Sequence, residues 1–250
     1  MKTDHPFRKK WGQNFLADTN LLQKIIRTVD LQPDDYILEI GPGEGALTER
    51  ILPEVAEMAA VEIDPLLIKH LRSAEHLTDC HFIHADVLWL ELDTLPIERP
   101  VRVIGNIPYN ITSPILFWLI EQREHWADAF MMVQKEVADR LTAEVGTKSY
   151  GRLTVMTSAF MDIEHCFTIP PDVFIPRPRV DSAIIRLSNK QNPLIEKTRF
   201  NRFESLVKAA FSSRRKMLRN TLKGFDIDSK VIDLSRRPET LTVEEFIKLL

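Results

Sequence analysis

The sequence predicts an α/β fold in which a mostly parallel sheet of seven strands is followed by a small all-helical domain. In the first two thirds of the chain, short apolar runs alternate with stretches of helical spacing, as in parallel strands joined by crossover helices. Three glycines follow the first of these runs, and no strand-like run is evident after residue 193. We therefore assign residues 1–189 to the sheet domain and residues 190–250 to the helical domain.

The individual elements follow from apolar runs and their spacing. The predicted strands are residues 36–40, 59–63, 81–84, 101–105, 130–134, 163–169 and 180–187, and the predicted helices between them include 66–71, 115–120 and 152–161. Prolines at 170, 171, 176 and 178 hold the loop between the last two strands extended. In the tail, helices are predicted at 203–211, 217–222 and 243–250, with Gly224 as a helix stop.

Composition excludes several classes of protein. No apolar run approaches the about 20 residues that a membrane span needs, and the polar N-terminus lacks the apolar segment of a signal peptide, so we expect a cytoplasmic protein. Cys80 and Cys166 lie far apart and form no CxxC pair. His81 and His165 adjoin them on predicted strands, where adjacent side chains point to opposite faces, so we expect no metal.

Charge is unevenly distributed along the chain. Residues 190–250 carry 14 Lys and Arg and 8 Asp and Glu, a net charge of +6, whereas residues 1–189 carry a net charge of −9. Such a basic cluster is typical of nucleic-acid contacts, although a solvated helix face is the alternative. The predicted RNA-binding residues are Arg214, Arg215, Lys216, Arg219 and Lys223. We also expect a basic N-terminal arm, residues 1–11, that a partner orders.

The turn after the first strand predicts a ligand site. Gly41, Gly43 and Gly45 occur where a strand leads into a helix, and glycine there lets the backbone approach a ligand closely. The spacing differs from that of the dinucleotide fingerprint, and the flanking Glu39 and Glu44 would repel a pyrophosphate. A cationic ligand is therefore favoured.

Two carboxylates stand at the ends of the next two strands, Glu62 near the end of 59–63 and Asp86 just after 81–84. Glu62 can accept both hydroxyls of a ribose, and Asp86 can accept from an adenine amine. Each alone is typical of a solvated strand end. Together, at adjacent strand ends after the glycine turn, they predict a site for an adenosine that carries a sulfonium.

Residues 106–109, Asn-Ile-Pro-Tyr, follow the fourth predicted strand. Amide oxygens can accept the hydrogens of an exocyclic amine, and the ring of Tyr109 can stack on a flat nucleobase. An ordinary turn with Asn and Pro is the alternative for this tetrapeptide alone.

Seven motifs in order resemble those of the rRNA adenine N6-methyltransferase family, within the class I S-adenosylmethionine-dependent methyltransferases, and the resemblance covers residues 5–223. They are residues 12–16 (GQNFL), 39–45 (EIGPGEG), 62–64 (EID), 85–87 (ADV), 106–109 (NIPY), 134–138 (QKEVA) with Arg140, and 170–176 (PPDVFIP) with Pro178, Val180 and Ser182. A Rossmann-like fold and S-adenosyl-L-methionine as cofactor are implied.

The resemblance also implies a role for each matching residue. Asn14 and Leu16 would close over the cofactor, Gly41 would contact its methionine moiety, Glu62 its ribose and Asp86 its adenine. Asn106 would contact both the cofactor and the target base. The Asn106 oxygen and the Ile107 carbonyl would accept the N6 hydrogens, with Tyr109 and Phe174 stacking on the base. An aliphatic residue at Ile107, where members acting on DNA commonly have proline, favours RNA.

The implied activity is dimethylation of two adjacent adenosines near the 3′ end of small-subunit rRNA during ribosome biogenesis. The small ribosomal subunit and its rRNA would be the partners, and we expect a monomer. Three alternatives remain open: a large-subunit rRNA methyltransferase of the antibiotic-resistance type, a methyltransferase acting on protein glutamine or DNA, and a ribosome-assembly factor whose activity is dispensable.

Overall fold

A computed structural model describes residues 15–16, 18–213, 215–228 and 230–250. Its helices are α1 (Thr19–Val29), α2 (Thr48–Ile51), α3 (Pro65–Arg72), α4 (Thr112–Glu121), α5 (Lys135–Leu141), α6 (Arg152–Ser158), α7 (Phe200–Ala210), α8 (Leu218–Thr221) and α9 (Val243–Lys248). Its strands are β1 (Phe15–Leu16), β2 (Tyr36–Ile40), β3 (Glu57–Glu62), β4 (Cys80–His84), β5 (Val101–Asn106), β6 (Trp126–Gln134), β7 (Met161–Ile169), β8 (Phe174–Ile175) and β9 (Ser182–Asn189).

Seven strands form one sheet in the order β4-β3-β2-β5-β6-β9-β7. Strand β2 pairs in parallel with β3 and β5, β3 with β4, and β5 with β6, whereas β9 runs antiparallel to β6. From β2, the strands β3 and β4 follow on one side and β5 and β6 follow on the other, so the strand order reverses between β2 and β5. In open α/β sheets, ligands bind at the carboxyl ends of the strands at such a reversal. The predicted fold class is confirmed.

All seven predicted strands occur, and the largest difference lies at the start of β6. This strand begins at Trp126 rather than at residue 130, and it includes the acidic Asp128. Asp128 is buried because it accepts hydrogen bonds from Arg102 and Arg186, at 2.8 Å from Arg102 Nε and 3.0 Å from Arg186 Nη2. A charged residue paired in this way cannot be distinguished from a loop residue by local pattern alone.

Helix α1 and the short pair β1–β8 were not predicted. Asp18 caps α1, because its carboxylate accepts a hydrogen bond from the Leu21 amide at 2.8 Å. In the second sheet Leu16 is opposite Phe174, and residue 15 is opposite Ile175. Strands of two residues have no periodicity from which they could be predicted.

The chain divides into two compact units. Unit 1 comprises the described residues up to Lys135 and Glu164–Ser188, and unit 2 comprises Glu136–Ile163 and the described part of Asn189–Leu250. Unit 2 therefore contains α6 and all of α5 except Lys135. Within unit 2, the Arg152 guanidinium is 2.7 Å from the Glu204 carboxylate, and the Tyr150 hydroxyl donates to Leu241 O at 2.8 Å.

A mostly buried arginine joins several elements of unit 1. Arg102, on β5, donates to Asp35 at 2.7 Å, to Asp128 at 2.8 Å and to the Val29 carbonyl at 2.7 Å. Its side chain is 14% exposed, and those of the two aspartates are 15% and 9% exposed. The guanidinium therefore ties the end of α1 and the start of β2 to the two central strands β5 and β6.

Replacing Arg102 tests how far unit 1 depends on this ion cluster. We expect Arg102→Met to lower the free energy of unfolding by about 3–5 kcal/mol, because the substitution removes the cation beside the mostly buried Asp35 and leaves the mostly buried Asp128 with Arg186 alone. Urea unfolding followed by circular dichroism measures this loss.

The matched control is Arg186→Met, which removes a second cation from Asp128. The Arg186 side chain is 45% exposed, so its loss should cost about 1 kcal/mol or less. Equal losses in the two variants would contradict a central role for Arg102.

Candidate active site

A cavity of about 380 Å³ opens at the carboxyl ends of β2, β3, β4 and β5. Register explains the convergence, because Ile40 pairs with both Val61 and Gly105, and Glu62 pairs with His84. The residues that follow these positions therefore share one edge of the sheet. Six of the predicted site residues line the cavity: Leu16, Gly41, Glu62, Asp86, Asn106 and Ile107.

The three glycines of the turn after β2 have different roles. All three have positive φ, at 69° for Gly41, 60° for Gly43 and 92° for Gly45. Gly41 and Gly43 line the cavity, and Gly41 N donates to Val61 O at 2.9 Å. A Cβ at Gly45 would lie 3.1 Å from Leu71 Cδ2 and 3.3 Å from Leu77 Cδ1. The first two glycines thus bring backbone to the cavity, and the third lets side chains pack against the turn.

The two predicted carboxylates line the cavity and are held by backbone amides. Glu62 Oε1 accepts from Ile63 N and Asp64 N, both at 2.9 Å. Burial raises the pKa of Glu62, while these amide bonds oppose the shift. Asp86 Oδ1 accepts from Leu88 N at 3.0 Å. A carboxylate has about four acceptor positions, so both groups retain capacity to accept from a ligand hydroxyl or amine.

Glu39 is a cavity residue to which the sequence gave no contact role. Its carboxylate is buried and accepts a hydrogen bond from Thr48 Oγ1 at 2.6 Å. Burial, assisted by the nearby charge of Glu62, raises its pKa to about 7, although the Thr48 hydrogen bond lowers it. The burial of this carboxyl leaves no local signal in the sequence, because a glutamate just before a glycine turn can equally be exposed.

Residues 106–109 leave the sheet at the rim of the cavity. Asn106, Ile107 and Pro108 line the cavity. A Cβ at Gly105 would lie 3.1 Å from both Ile107 Cγ2 and Met131 Cε, so glycine leaves room for these two side chains to pack against β5. Tyr109 is half-buried, and its hydroxyl lies 2.6 Å from Ser182 Oγ.

The remaining predicted residues of unit 1 have different surroundings. Leu16 and Ile175 both line the cavity, and Ile175 was missed by the sequence analysis. Phe174 is 2% exposed and packs in the same hydrophobic cluster as Leu16. Its predicted stacking on a base therefore requires the side chain to turn out of this cluster. Asn14 lies outside the described residues.

The predicted RNA-binding residues lie around α8 in unit 2. Arg215, Lys216, Arg219 and Lys223 are exposed, and Arg214 lies outside the described residues. Backbone bonds from Leu218 N to Arg236 O and from Arg219 N to Leu234 O, both at 2.9 Å, fix the start of α8. The arrangement presents basic side chains on a short ordered segment.

Two features are absent from the described part of the chain. None of its helices is long and apolar enough to cross a membrane. Its His, Cys, Asp and Glu side chains include no group of three or more that could hold a metal ion.

The sheet order and the cavity at its carboxyl edge define a Rossmann-like methyltransferase. A dimethyladenosine transferase from Plasmodium falciparum has a similar solved structure, with a TM-score of 0.79, 27% identity, and coverage of 94% of this chain and 96% of that one. The 23S rRNA methyltransferase ErmE gives a TM-score of 0.72 at 31% identity, covering 94% and 97% of the two chains.

Sequence comparison identifies the family. The model of the ribosomal RNA adenine dimethylase family matches residues 4–231, and the chain belongs to this family. The ribosomal RNA small subunit methyltransferase A of Prosthecochloris aestuarii is 44% identical, over 98% of this chain and 93% of the relative. The protein of the same name from Coxiella burnetii is 42% identical, over 98% and 96%.

The raised pKa of Glu39 predicts a pH dependence of stability. Because the folded carboxyl holds its proton up to about pH 7 and the unfolded one releases it near 4.5, the free energy of unfolding should fall as pH rises through this window. The loss is on the order of 3 kcal/mol, from about 1.4 kcal/mol per unit of pKa. Glu39→Gln cannot ionise, so urea unfolding without cofactor should reveal a smaller loss over the same window.

Thr48→Val provides an internal control, because it removes the hydrogen bond that lowers the pKa of Glu39. The upper end of the pH window over which stability falls should then move upward. Identical pH profiles for the wild type and Glu39→Gln would contradict the shift.

Proposed function

We propose that this enzyme transfers methyl groups from S-adenosyl-L-methionine to N6 of two adjacent adenosines near the 3′ end of small-subunit rRNA, dimethylating each. One observation carries the proposal: the glycine turn, Glu62 and Asp86 line the same cavity as Asn106 and Ile107. Adenosine-binding groups and amide acceptors for an exocyclic amine thus adjoin one another. The small-subunit rRNA is the substrate in the name of the relatives at 42–44% identity.

The cavity residues suit S-adenosyl-L-methionine. Gly41 and Gly43 would accommodate its methionine moiety, Glu62 would accept from the ribose hydroxyls, and Asp86 would accept from the adenine amine. Leu16 and Ile175 would provide an apolar wall, and Asn14 is proposed to close over the same ligand. When bound, the cofactor supplies an electrophilic methyl group on a sulfonium, and the acidic lining favours such a cation.

Orientation of the target amine is the proposed task of residues 106 and 107. The N6 lone pair of adenine is delocalised into the ring, so a reacting amine must turn it toward the methyl group. The Asn106 side-chain oxygen and the Ile107 carbonyl would each accept one N6 hydrogen, which aims the lone pair and supports the positive charge that develops on nitrogen. Once methylated, this ammonium is acidic enough to lose its proton to water, so no strong base is needed.

Aromatic stacking would hold the flipped base. Tyr109 follows the amide acceptors directly and would contact one face. Phe174 is proposed for the other face, although its side chain is buried in the apolar cluster of unit 1. In a second form of the proposal, Tyr109 alone stacks on the base and Phe174 stays packed in the apolar cluster.

The basic residues around α8 would bind RNA phosphates. These side chains would supply affinity that does not depend on base sequence. They are Arg215, Lys216, Arg219 and Lys223, together with the predicted contact Arg214. Target choice would come from RNA shape and from exposed loop bases. A ribosomal substrate implies a cytoplasmic location.

A large-subunit rRNA methyltransferase is the second candidate. The specific observation in its favour is the structural similarity to ErmE, whose name specifies 23S rRNA. Tritiated methyl transfer to undermethylated small subunits and, separately, to large subunits distinguishes the two, followed by mapping of the modified nucleotides. Label confined to two adjacent adenosines of the small subunit supports the proposal, and label in the large subunit alone refutes it.

Removing the Asn106 amide tests the catalytic assignment. We expect Asn106→Ala to reduce methyl transfer by on the order of 10²- to 10³-fold, the typical effect of losing one preorganised hydrogen-bonding group. Cofactor affinity should fall as well, because Asn106 also lines the cofactor part of the cavity. Single-turnover kinetics and calorimetry with S-adenosylhomocysteine measure the two effects.

Asn110→Ala is the matched control for this experiment. Asn110 is exposed, lies four positions further along, and is absent from the residues that line the cavity. Its truncation should leave turnover close to that of the wild type. Near-normal turnover of Asn106→Ala would contradict the catalytic role proposed for Asn106.

Reversing charge near α8 tests the RNA-binding assignment. Replacing Arg215 and Arg219 by Glu should weaken RNA binding and reduce the slope of log affinity against log salt by roughly 1.4–1.8, at about 0.7–0.9 per lost phosphate contact. Filter binding of small-subunit rRNA at several salt concentrations measures the slope. Cofactor affinity should not change.

The control replaces Arg27 and Lys69, two exposed residues of unit 1, by Glu, which changes net charge equally. Its salt slope should stay close to that of the wild type. If the Arg215 and Arg219 variant keeps its slope, these side chains form a solvated face instead.

A further inference from the structure

Tyr109 is joined to a strand two positions away in the sheet. Its hydroxyl lies 2.6 Å from Ser182 Oγ, and Ser182 is the first residue of β9. In the sheet order β6 lies between β5, which leads into Tyr109, and β9. The hydrogen bond therefore passes over the end of β6. It links the chain after Asn106 to β9, a strand that supplies no residue to the cavity lining.

The Ser182 hydroxyl occupies a well-defined position. Its residue is fully buried, at 0% exposure. It is paired with Gln134, the last residue of β6, and the adjacent Asp181 carbonyl accepts from Lys135 N at 2.9 Å. Backbone bonds on both sides of the pair thus fix the serine, and a buried hydroxyl of this kind needs a partner.

The other end of Tyr109 is fixed by its backbone. Ile111 N donates to Pro108 O at 3.1 Å, and Thr112 Oγ1 donates to Tyr109 O at 3.2 Å. These bonds hold the single turn Tyr109–Ile111, and α4 continues from it. The tyrosine is therefore anchored at its main chain and at its hydroxyl, so the axis of the ring is defined at both ends.

We propose that Ser182 is a positioning residue: its hydroxyl holds the ring of Tyr109 in the orientation in which it stacks on the target adenine. This inference rests on the proposed function, since it assigns the ring a base to stack on. Burial raises the pKa of Tyr109, so the phenol stays neutral beside the Ser182 hydroxyl.

The physical benefit is preorganisation. A ring fixed before the base arrives does not lose side-chain freedom when the base binds, so the ordering cost is removed from the binding step. Ser182 would contact neither base nor cofactor. Its contribution should therefore depend entirely on the Tyr109 hydroxyl, and this dependence separates positioning from a general structural role.

A double-mutant cycle measures the dependence. Tyr109→Phe keeps the ring, Ser182→Ala keeps the packing volume nearly unchanged, and the double variant removes both hydroxyls. Each single change should lower kcat/KM for undermethylated small subunits about three- to tenfold, the range expected for one hydrogen bond. The double variant should be no worse than either single variant. Affinity for S-adenosylhomocysteine should be unchanged in all three.

Tyr150→Phe is the matched control for loss of a buried tyrosine hydroxyl. Tyr150 donates to Leu241 O at 2.8 Å in unit 2. This variant should lower the thermal midpoint and leave kcat/KM for the subunit close to that of the wild type. If kcat/KM instead follows the thermal midpoint across all variants, or if the Tyr109 and Ser182 effects multiply in the double variant, the positioning role is overturned.

A measurement that does not depend on catalysis tests this inference separately from the proposed function. The chain contains three tyrosines, so fluorotyrosine labelling should give few resonances, and Tyr109→Phe identifies the one from Tyr109. Ser182→Ala should shift and narrow that resonance selectively, as the ring becomes mobile. An unchanged resonance overturns the inference. A wild type that methylates no small subunit refutes the function while this measurement still tests the contact.

Discussion

The candidate site depends on the parallel register of β2 with its two neighbours. Because Ile40 is opposite both Val61 and Gly105, the next residue along each of three different strands reaches the sheet edge at one level. Hydrogen-bond geometry alone thus brings Gly41, Glu62 and Asn106 to one cavity, although they are far apart in the chain. A slip of one residue would turn every side chain of a strand to the opposite face and separate these groups.

This register also explains how much the sequence could predict. Strands buried on both faces read as short apolar runs, so the sheet and the residues after its strands were found from local pattern. The contacts that were missed join distant segments: Leu16 with Phe174 across a two-residue ladder, and Tyr109 with Ser182 across β6. Neither leaves periodicity in the sequence. The sequence analysis treated Glu39 as a charged flank of the ligand turn, and it missed the raised pKa of about 7 because burial, not residue type, causes that shift.

The two units have opposite electrostatic tasks. The cavity lining of unit 1 includes Glu44, Glu49, Glu62 and Asp86 together with Arg50, and the net negative charge of these side chains favours a cation. The exposed arginines and lysines near α8 of unit 2 favour a polyanion. In the proposed reaction the RNA backbone would be bound by the basic segment, and only a neutral base would enter the acidic cavity. The separation of charge would thereby exclude phosphate from the place where the sulfonium is held.

Methyl transfer to a weakly nucleophilic amine depends on accurate positioning of the amine and does not depend on a strong base. In the proposed mechanism, acceleration comes from the direction of one lone pair, and a small displacement of the acceptors would reduce it. The chain limits such displacement where the reaction needs it. Asn106 is the last paired residue of β5, opposite Met132, and the next turn is fixed by backbone bonds and by the buried Ser182 hydroxyl. The proposed acceptors are thus held at the end of β5, a strand of the cavity edge, and the proposed stacking ring is also held by β9.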